Sequence, residues 1–268
     1  MSRVAIVQMN SSHNVGENLQ KLNVFFKQAQ KGGAELLVLP ENFAFMGMQA
    51  GDKLFVAEEF VEGVIQRTVS QLAKLHSIWV IAGSLFLQHS KARVKASSLV
   101  YNHNGENIAR YDKIHLFDAQ VSDKELHHES MTIAPGNKTA VVDTPVGRIG
   151  LSICYDLRFP ELYRKLVLEG AELFTVPSAF TAITGAAHWE VLIRARAIEN
   201  LCYVLAPNQG GVHTNGRSTH GHSMIVDPWG KIINEQPEGE GVIFADIDLQ
   251  RLQQLRKEFP CNEHHILK

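Results

Sequence analysis

Apolar positions along the chain follow two rhythms. Short runs at residues 4–9, 36–39, 79–82, 99–101, 149–154, 173–176, 203–206, 223–226 and 242–247 are rich in Val, Ile and Leu, which predicts β-strands. Several of these runs show no polar alternation, as expected of strands covered on both faces. Between them, Val15, Leu19, Leu22, Phe26 and Ala29 recur at helical spacing. So do Val61, Ile65, Val69, Leu72, Ala73 and Leu75, and further on Val191, Ala195 and Ile198. Leu249, Leu252, Leu255 and Phe259 mark a last amphipathic helix. Strands interleaved with helices predict α/β layering.

The pattern also repeats. Gly33-Ala-Glu-Leu-Leu-Val-Leu-Pro40 and Gly170-Ala-Glu-Leu-Phe-Thr-Val-Pro177 share Gly, Ala, Glu, Leu and Pro at matching places. Each octamer follows a predicted helix, and each helix follows a strand that opens on arginine, Arg3 or Arg148. Two related βαβ halves are therefore expected. Their natural packing is two mixed sheets face to face with helices outside, in one domain over residues 1–268. No Pro/Gly/Ser-rich linker or low-complexity tract divides the chain. The polar stretch 122–130 predicts a long loop, and such loops in compact domains are often functional.

Composition narrows the class. With 268 residues, 45% of them hydrophobic and 20% charged, the chain can bury a full core and is not disordered. A net charge of −2 leaves no electrostatic footprint for nucleic acid or an anionic membrane. No run of about 18 apolar residues exists to span a bilayer, and the opening residues turn polar too soon for a signal peptide. Cys154, Cys202 and Cys261 are odd in number and scattered, which argues against a disulfide framework and for a reducing, cytoplasmic setting. Neither His-Glu-x-x-His nor Cys-x-x-Cys spacing occurs, so no metal or other cofactor is expected.

Three residues stand where α/β folds gather ligands, just past the ends of strands. Cys154 follows an apolar run, and Pro160 and Glu161 suit the first turn of a helix soon after it. A thiol on such a strand–turn–helix bend is exposed as a nucleophile, with backbone N–H groups beside it to receive an oxyanion. The alternative is a buried cysteine acting as a small hydrophobe, the reading that fits Cys202. Glu41 follows Pro40 at the end of a second strand, and Lys113 lies just past a third. Either alone would read as an ordinary surface charge. A Cys–His dyad with His115, His188, His220 or His222 is a further possibility, but the Cys154 segment lacks the glycines that usually flank a dyad nucleophile.

Leu39-Pro-Glu-Asn-Phe43, Arg110-Tyr-Asp-Lys-Ile-His-Leu-Phe-Asp118 and Ser152-Ile-Cys-Tyr-Asp-Leu-Arg-Phe-Pro-Glu161 resemble the three signature segments of the nitrilase, or carbon–nitrogen hydrolase, superfamily. The likeness continues through Pro177-Ser-Ala-Phe180, Thr184-Gly-Ala-Ala-His-Trp-Glu190 and Gly221-His-Ser-Met-Ile-Val-Asp-Pro-Trp-Gly230. It implies an αββα sandwich and a Glu–Lys–Cys triad at Glu41, Lys113 and Cys154. Glu129, ahead of Pro135-Gly136, matches a second active-site glutamate. Family members commonly pair, so a homodimer is expected.

The last blocks are most similar to the branch that hydrolyses deaminated glutathione, a small-molecule amide, to 2-oxoglutarate and cysteinylglycine. That substrate carries a carboxylate at each end, and Arg158 offers a bidentate partner for one of them; it could equally tie the turn to its own helix. Tyr155, Ser178, Phe180, Thr184 and His188 complete the expected substrate wall, His188 and Trp189 being equally readable as structural. The rival reading within the superfamily is an ω-amidase, which Pro-Ser-Ala-Phe in place of Pro-Gly-Ala-Phe weighs against. A non-catalytic scaffold of the same fold would be marked by loss of Glu, Lys or Cys, and all three are present.

Overall fold

The repeat in sequence is a repeat of structure. The computed structural model describes residues 1–123 and 125–266. The first half contributes β1 (Ser2–Gln8), α1 (Val15–Lys31), β2 (Leu36–Val38), α2 (Lys53–Val56), α3 (Val64–His76), β3 (Trp79–Gln88), β4 (Val94–Tyr101) and β5 (Asn107–Asp112). A two-stranded ribbon, β6 (Asp118–Ser122) and β7 (Glu125–His128), lies between the halves in sequence. The second half has β8 (Val141–Thr144), β9 (Gly147–Leu151), α4 (Pro160–Leu168), β10 (Leu173–Thr175), α5 (Ala182–Asn200) and β11 (Tyr203–Ala206). It continues through β12 (Gly210–Val212), β13 (Ser218–His220), β14 (Ser223–Val226) and β15 (Ile232–Gln236), before β16 (Gly241–Ile247) and α6 (Leu249–Glu258).

One sheet runs β16-β1-β2-β3-β4-β5 and the other β15-β14-β11-β10-β9-β8. At the centre of each lie three parallel strands, β1, β2 and β3 or β9, β10 and β11. Antiparallel strands flank both triplets. Side-chain alternation sorts the strands between two cores. Val4, Ile6, Leu36 and Val38 point at Ile149, Leu151 and Leu205 of the opposite sheet. Their neighbours Ala5, Val7 and Leu37 pack under Leu22 and Phe26 of α1 and Val69 of α3. Across the molecule, Leu162 and Leu166 of α4 and Trp189 and Ile193 of α5 cover the second sheet. Each such side chain contributes about 1.5–3 kcal/mol when fully buried. The result is the expected αββα sandwich of two mixed sheets.

Local signals set the helix ends. Asn14 accepts from Glu17 N–H and caps α1, Thr181 accepts from Thr184 N–H and caps α5, and Pro160 opens α4. One expectation fails. The stretch 122–130 is not an open loop, because β6 and β7 pair antiparallel, with a register shift between Gln120 and Ser122, and Glu129–Met131 forms a 3-10 turn; Lys124 of that stretch lies outside the described residues. Polar side chains on both faces of this ribbon leave little hydrophobic periodicity to read.

Candidate active site

The two sheets bring three strand ends together. Glu41 follows β2 on a tight turn whose next residue, Asn42, has a left-handed φ of 59° and donates its N–H to Ser84 Oγ. Gly83 makes the turn possible, since a Cβ there would stand 2.1 Å from Pro40 O. Lys113 follows β5 directly. Cys154 comes three residues after β9 and opens a 3-10 turn, Cys154–Arg158, at a left-handed φ of 49°. Such a backbone at a side-chain-bearing residue costs of order 1–3 kcal/mol and needs surrounding structure to hold it. The Cys154 N–H is fixed on Pro177 O (3.0 Å).

Asp156 supplies more of that hold. Fully buried, it accepts from Ile153 N–H (2.9 Å) and Tyr111 OH (2.7 Å) on one oxygen and from His115 N–H (3.0 Å) on the other. Tyr111 and His115 bracket Lys113, so one carboxylate ties the lysine segment to the cysteine bend.

The functional groups converge out of water: Lys113 is 2% exposed, Glu41 4% and Cys154 8%. Lys113 Nζ donates to Glu41 Oε1 and to Glu129 Oε1, both at 2.9 Å. Glu129 is anchored by its second oxygen, which accepts from Phe117 N–H at 2.6 Å. The Cys154 thiol meets the Glu41 carboxylate and the Ala179 N–H. Burial works against charge on Lys113, but Glu129 and Glu41 outweigh it and hold the ammonium well above the ordinary lysine range. Burial opposes the Glu129 carboxylate too, yet Lys113 and the Phe117 N–H keep its carboxyl below the usual glutamate value. Burial and then Glu41 push the Cys154 thiol well up, against Lys113 and the Ala179 N–H. Burial and the adjacent carboxylate thus both favour the thiol form of the sulfur.

Glu41, Lys113, Glu129 and Cys154 all line one cavity of about 360 Å³. This arrangement can perform nucleophilic acyl transfer: a sulfur nucleophile, a carboxylate to move its proton, and a fixed ammonium to meet a developing oxyanion. The family model for carbon–nitrogen hydrolases matches residues 3–257, a span that takes in all four residues.

The chain is a carbon–nitrogen hydrolase. The deaminated glutathione amidase of Synechocystis sp. is 43% identical to it, over 98% of this chain and 97% of that one. The deaminated glutathione amidase of Mus musculus is 40% identical, over 97% of this chain and 82% of its own length. Among solved structures, the C. elegans NitFhit protein superposes with a TM-score of 0.90 at 39% identity, over 98% of this chain and 65% of that one. No helix among the described residues is long and apolar enough to cross a membrane.

In this hydrolase the other expected site residues fall into two groups. Tyr155, Arg158, Phe180 and Thr184 line a small recess of about 20 Å³ that shares Cys154 and Phe117 with the larger cavity. The Arg158 guanidinium lies over the Tyr155 and Phe180 rings and 3.3 Å from His188 Nδ1. His188 sits within α5 and lines neither space. Ser178 is fully buried and turns its hydroxyl back to Val176 O (3.0 Å). Trp189 is a packing residue, its indole N–H donating to His222 O. His115, His188, His220 and His222 line neither space with Cys154. His127 and His128, on β7, do border the cavity, as do Lys53 and Arg217, which the sequence pattern left unremarked. Arg217 follows Asn215-Gly216, a dipeptide that signals a tight hairpin and does place it between β12 and β13. Lys53 carries no such signal.

Proposed function

We propose that this carbon–nitrogen hydrolase is a cysteine amidase whose substrate is deaminated glutathione. The observation that carries the proposal is the convergence of Cys154, Glu41 and Lys113 around one cavity, together with the activity for which the matching relatives are named. Cys154 Sγ attacks the amide carbonyl carbon while its proton passes to Glu41. The Lys113 ammonium and the Tyr155 N–H, in the first turn after the bend where N–H groups lack helical partners, receive the oxyanion. Losing one such donor typically costs about 3–4 kcal/mol. The C–N bond breaks as Glu41 returns the proton to the departing amine, cysteinylglycine. Water then gives its proton to Glu41 and attacks the thioester, and 2-oxoglutarate leaves as the thiol is regenerated. Glu129 keeps Lys113 charged and aimed.

Arg158, steadied by His188, is offered to the carboxylate of the amine product, with Tyr155, Phe180 and Thr184 around it; Ser178 supports this wall from behind. We read the protein as a homodimer of the cytoplasm, its three cysteines being unpaired; sedimentation at micromolar concentration should give twice the mass of one chain. Intact-mass spectrometry after mixing with substrate tests the chemistry. Wild-type protein should show a thioester adduct or turnover, and Cys154→Ala neither. A higher kcat/KM for 2-oxoglutaramate than for deaminated glutathione would replace the proposed substrate with that of an ω-amidase.

A further inference from the structure

Two cations on the wall of the catalytic cavity have no role in the reaction just described. Lys113 is committed to two carboxylates, whereas Lys53 and Arg217 have no acid partner within 4 Å among the described residues. Lys53, the first residue of α2, donates to Thr132 Oγ1 at 3.0 Å and lies over the Phe86 ring. Arg217 donates from Nη2 to Ala179 O at 2.6 Å, while its Nε is buried without a partner among the described residues. Ala179 is also the residue whose N–H meets the Cys154 sulfur, so the guanidinium is fastened to the nucleophile's own neighbour. Lys53 in turn senses Glu129, Lys113, Glu41 and Arg217. Two like charges drawn from water into one cavity repel each other, and an anion between them relieves both penalties.

We infer that Lys53 and Arg217 clamp a carboxylate on the acyl arm of the substrate, so that the site takes amides of dicarboxylic acids rather than simple carboxamides. The inference rests on the amidase reading and deepens it. The acyl arm is the half that stays on sulfur through the thioester, and both cations neighbour the groups around that sulfur. A guanidinium fork and an ammonium together give bidentate and point-charge contacts to one carboxylate. Arg158, across Phe117, is left for the carboxylate of the amine arm.

The test uses two substrates that differ only in the acyl arm, 2-oxoglutaryl-cysteinylglycine and pentanoyl-cysteinylglycine. Wild-type enzyme should prefer the first by about 100-fold in kcat/KM, the scale on which a buried charge clamp discriminates. In Lys53→Met and in Arg217→Gln that preference should shrink by about 30-fold, chiefly through KM. An equal loss on both substrates would make the residues structural or place them against the shared amine arm, and a loss confined to the pentanoyl substrate would widen the preference; either result overturns the clamp. Calorimetry gives a readout without turnover: Cys154→Ala should bind glutarate, and adding Lys53→Met should weaken that binding about tenfold or more. If wild type cleaves both amides equally well, the clamp fails and the amidase reading stands. If neither amide yields turnover or an adduct, the amidase reading fails, and loss of glutarate affinity on Lys53→Met still decides the clamp.

Discussion

The two βαβ halves end their strands alike and use those ends oppositely. Pro40-Glu41 after β2 corresponds to Pro177-Ser178 after β10, and Cys154 beyond β9 corresponds to Met9 beyond β1. Where the proposed catalytic set stands, ionic groups crowd a cavity and the sulfur is held on a strained backbone. At the twin positions everything is paired and closed. Met9 is buried and its carbonyl accepts from Gly210 N–H. Nearby Gln8 accepts from Ser223 N–H and donates to Gly239 O. Gln209 accepts from Ser11 N–H and donates to Ser11 Oγ and to the carbonyl of Glu41. Uncharged amides satisfy backbone groups and define a single packing. Strand ends thus supply a place, and charge with open volume turns the place into a site.

This contrast can be broken from either side. The largest effect is expected from Lys113→Met, which strands two buried carboxylates. Its kcat/KM should fall about 1000-fold or more, and urea denaturation should show a loss of about 3–5 kcal/mol. Gly83→Ala should come next: the added methyl collides with the Pro40 carbonyl and displaces Glu41, lowering kcat by about 100-fold for about 1–3 kcal/mol of stability. A pH series of urea midpoints addresses Glu129. Its carboxyl is held below the ordinary value of 4.5, so its contribution to stability is present above that pH and is lost as pH falls through the lower folded value. Glu129→Gln should flatten the acid limb of the stability curve relative to wild type. The smallest effect belongs to Ser178→Ala. At the twin position of Glu41 it should cost about 1 kcal/mol in stability and leave kcat within about threefold; a catalytic-scale loss there would erase the distinction between the strand ends that form the site and their twins.

Much of this architecture was legible because it rests on strong local signals. The central strands are apolar on both faces, and the repeated octamer announced that β2 and β10 play the same part. Glu41, Lys113 and Cys154 could be singled out by their places after strands and by three resembling segments, although no residue spacing states that they meet. Edge strands β8 and β15 escaped because half their residues face solvent or are polar. The β6–β7 ribbon escaped for the same reason. Lys53 and Arg217 lie on irregular segments far apart in the chain, where a cation reads as surface charge; only the fold discloses that they share a wall. The hold that Asp156 exerts on the Cys154 bend is likewise tertiary, since its partners Tyr111 and His115 come from another strand's end.

The proton kept on Cys154 has a consequence outside the reaction itself. Peroxide and soft electrophiles attack thiolate rather than thiol, and oxidation to sulfenic acid follows the same preference. Burial and the neighbouring Glu41 favour the less reactive thiol form. The burial that disfavours its ionisation, with only 8% of the residue exposed, therefore also works against oxidation at the same atom.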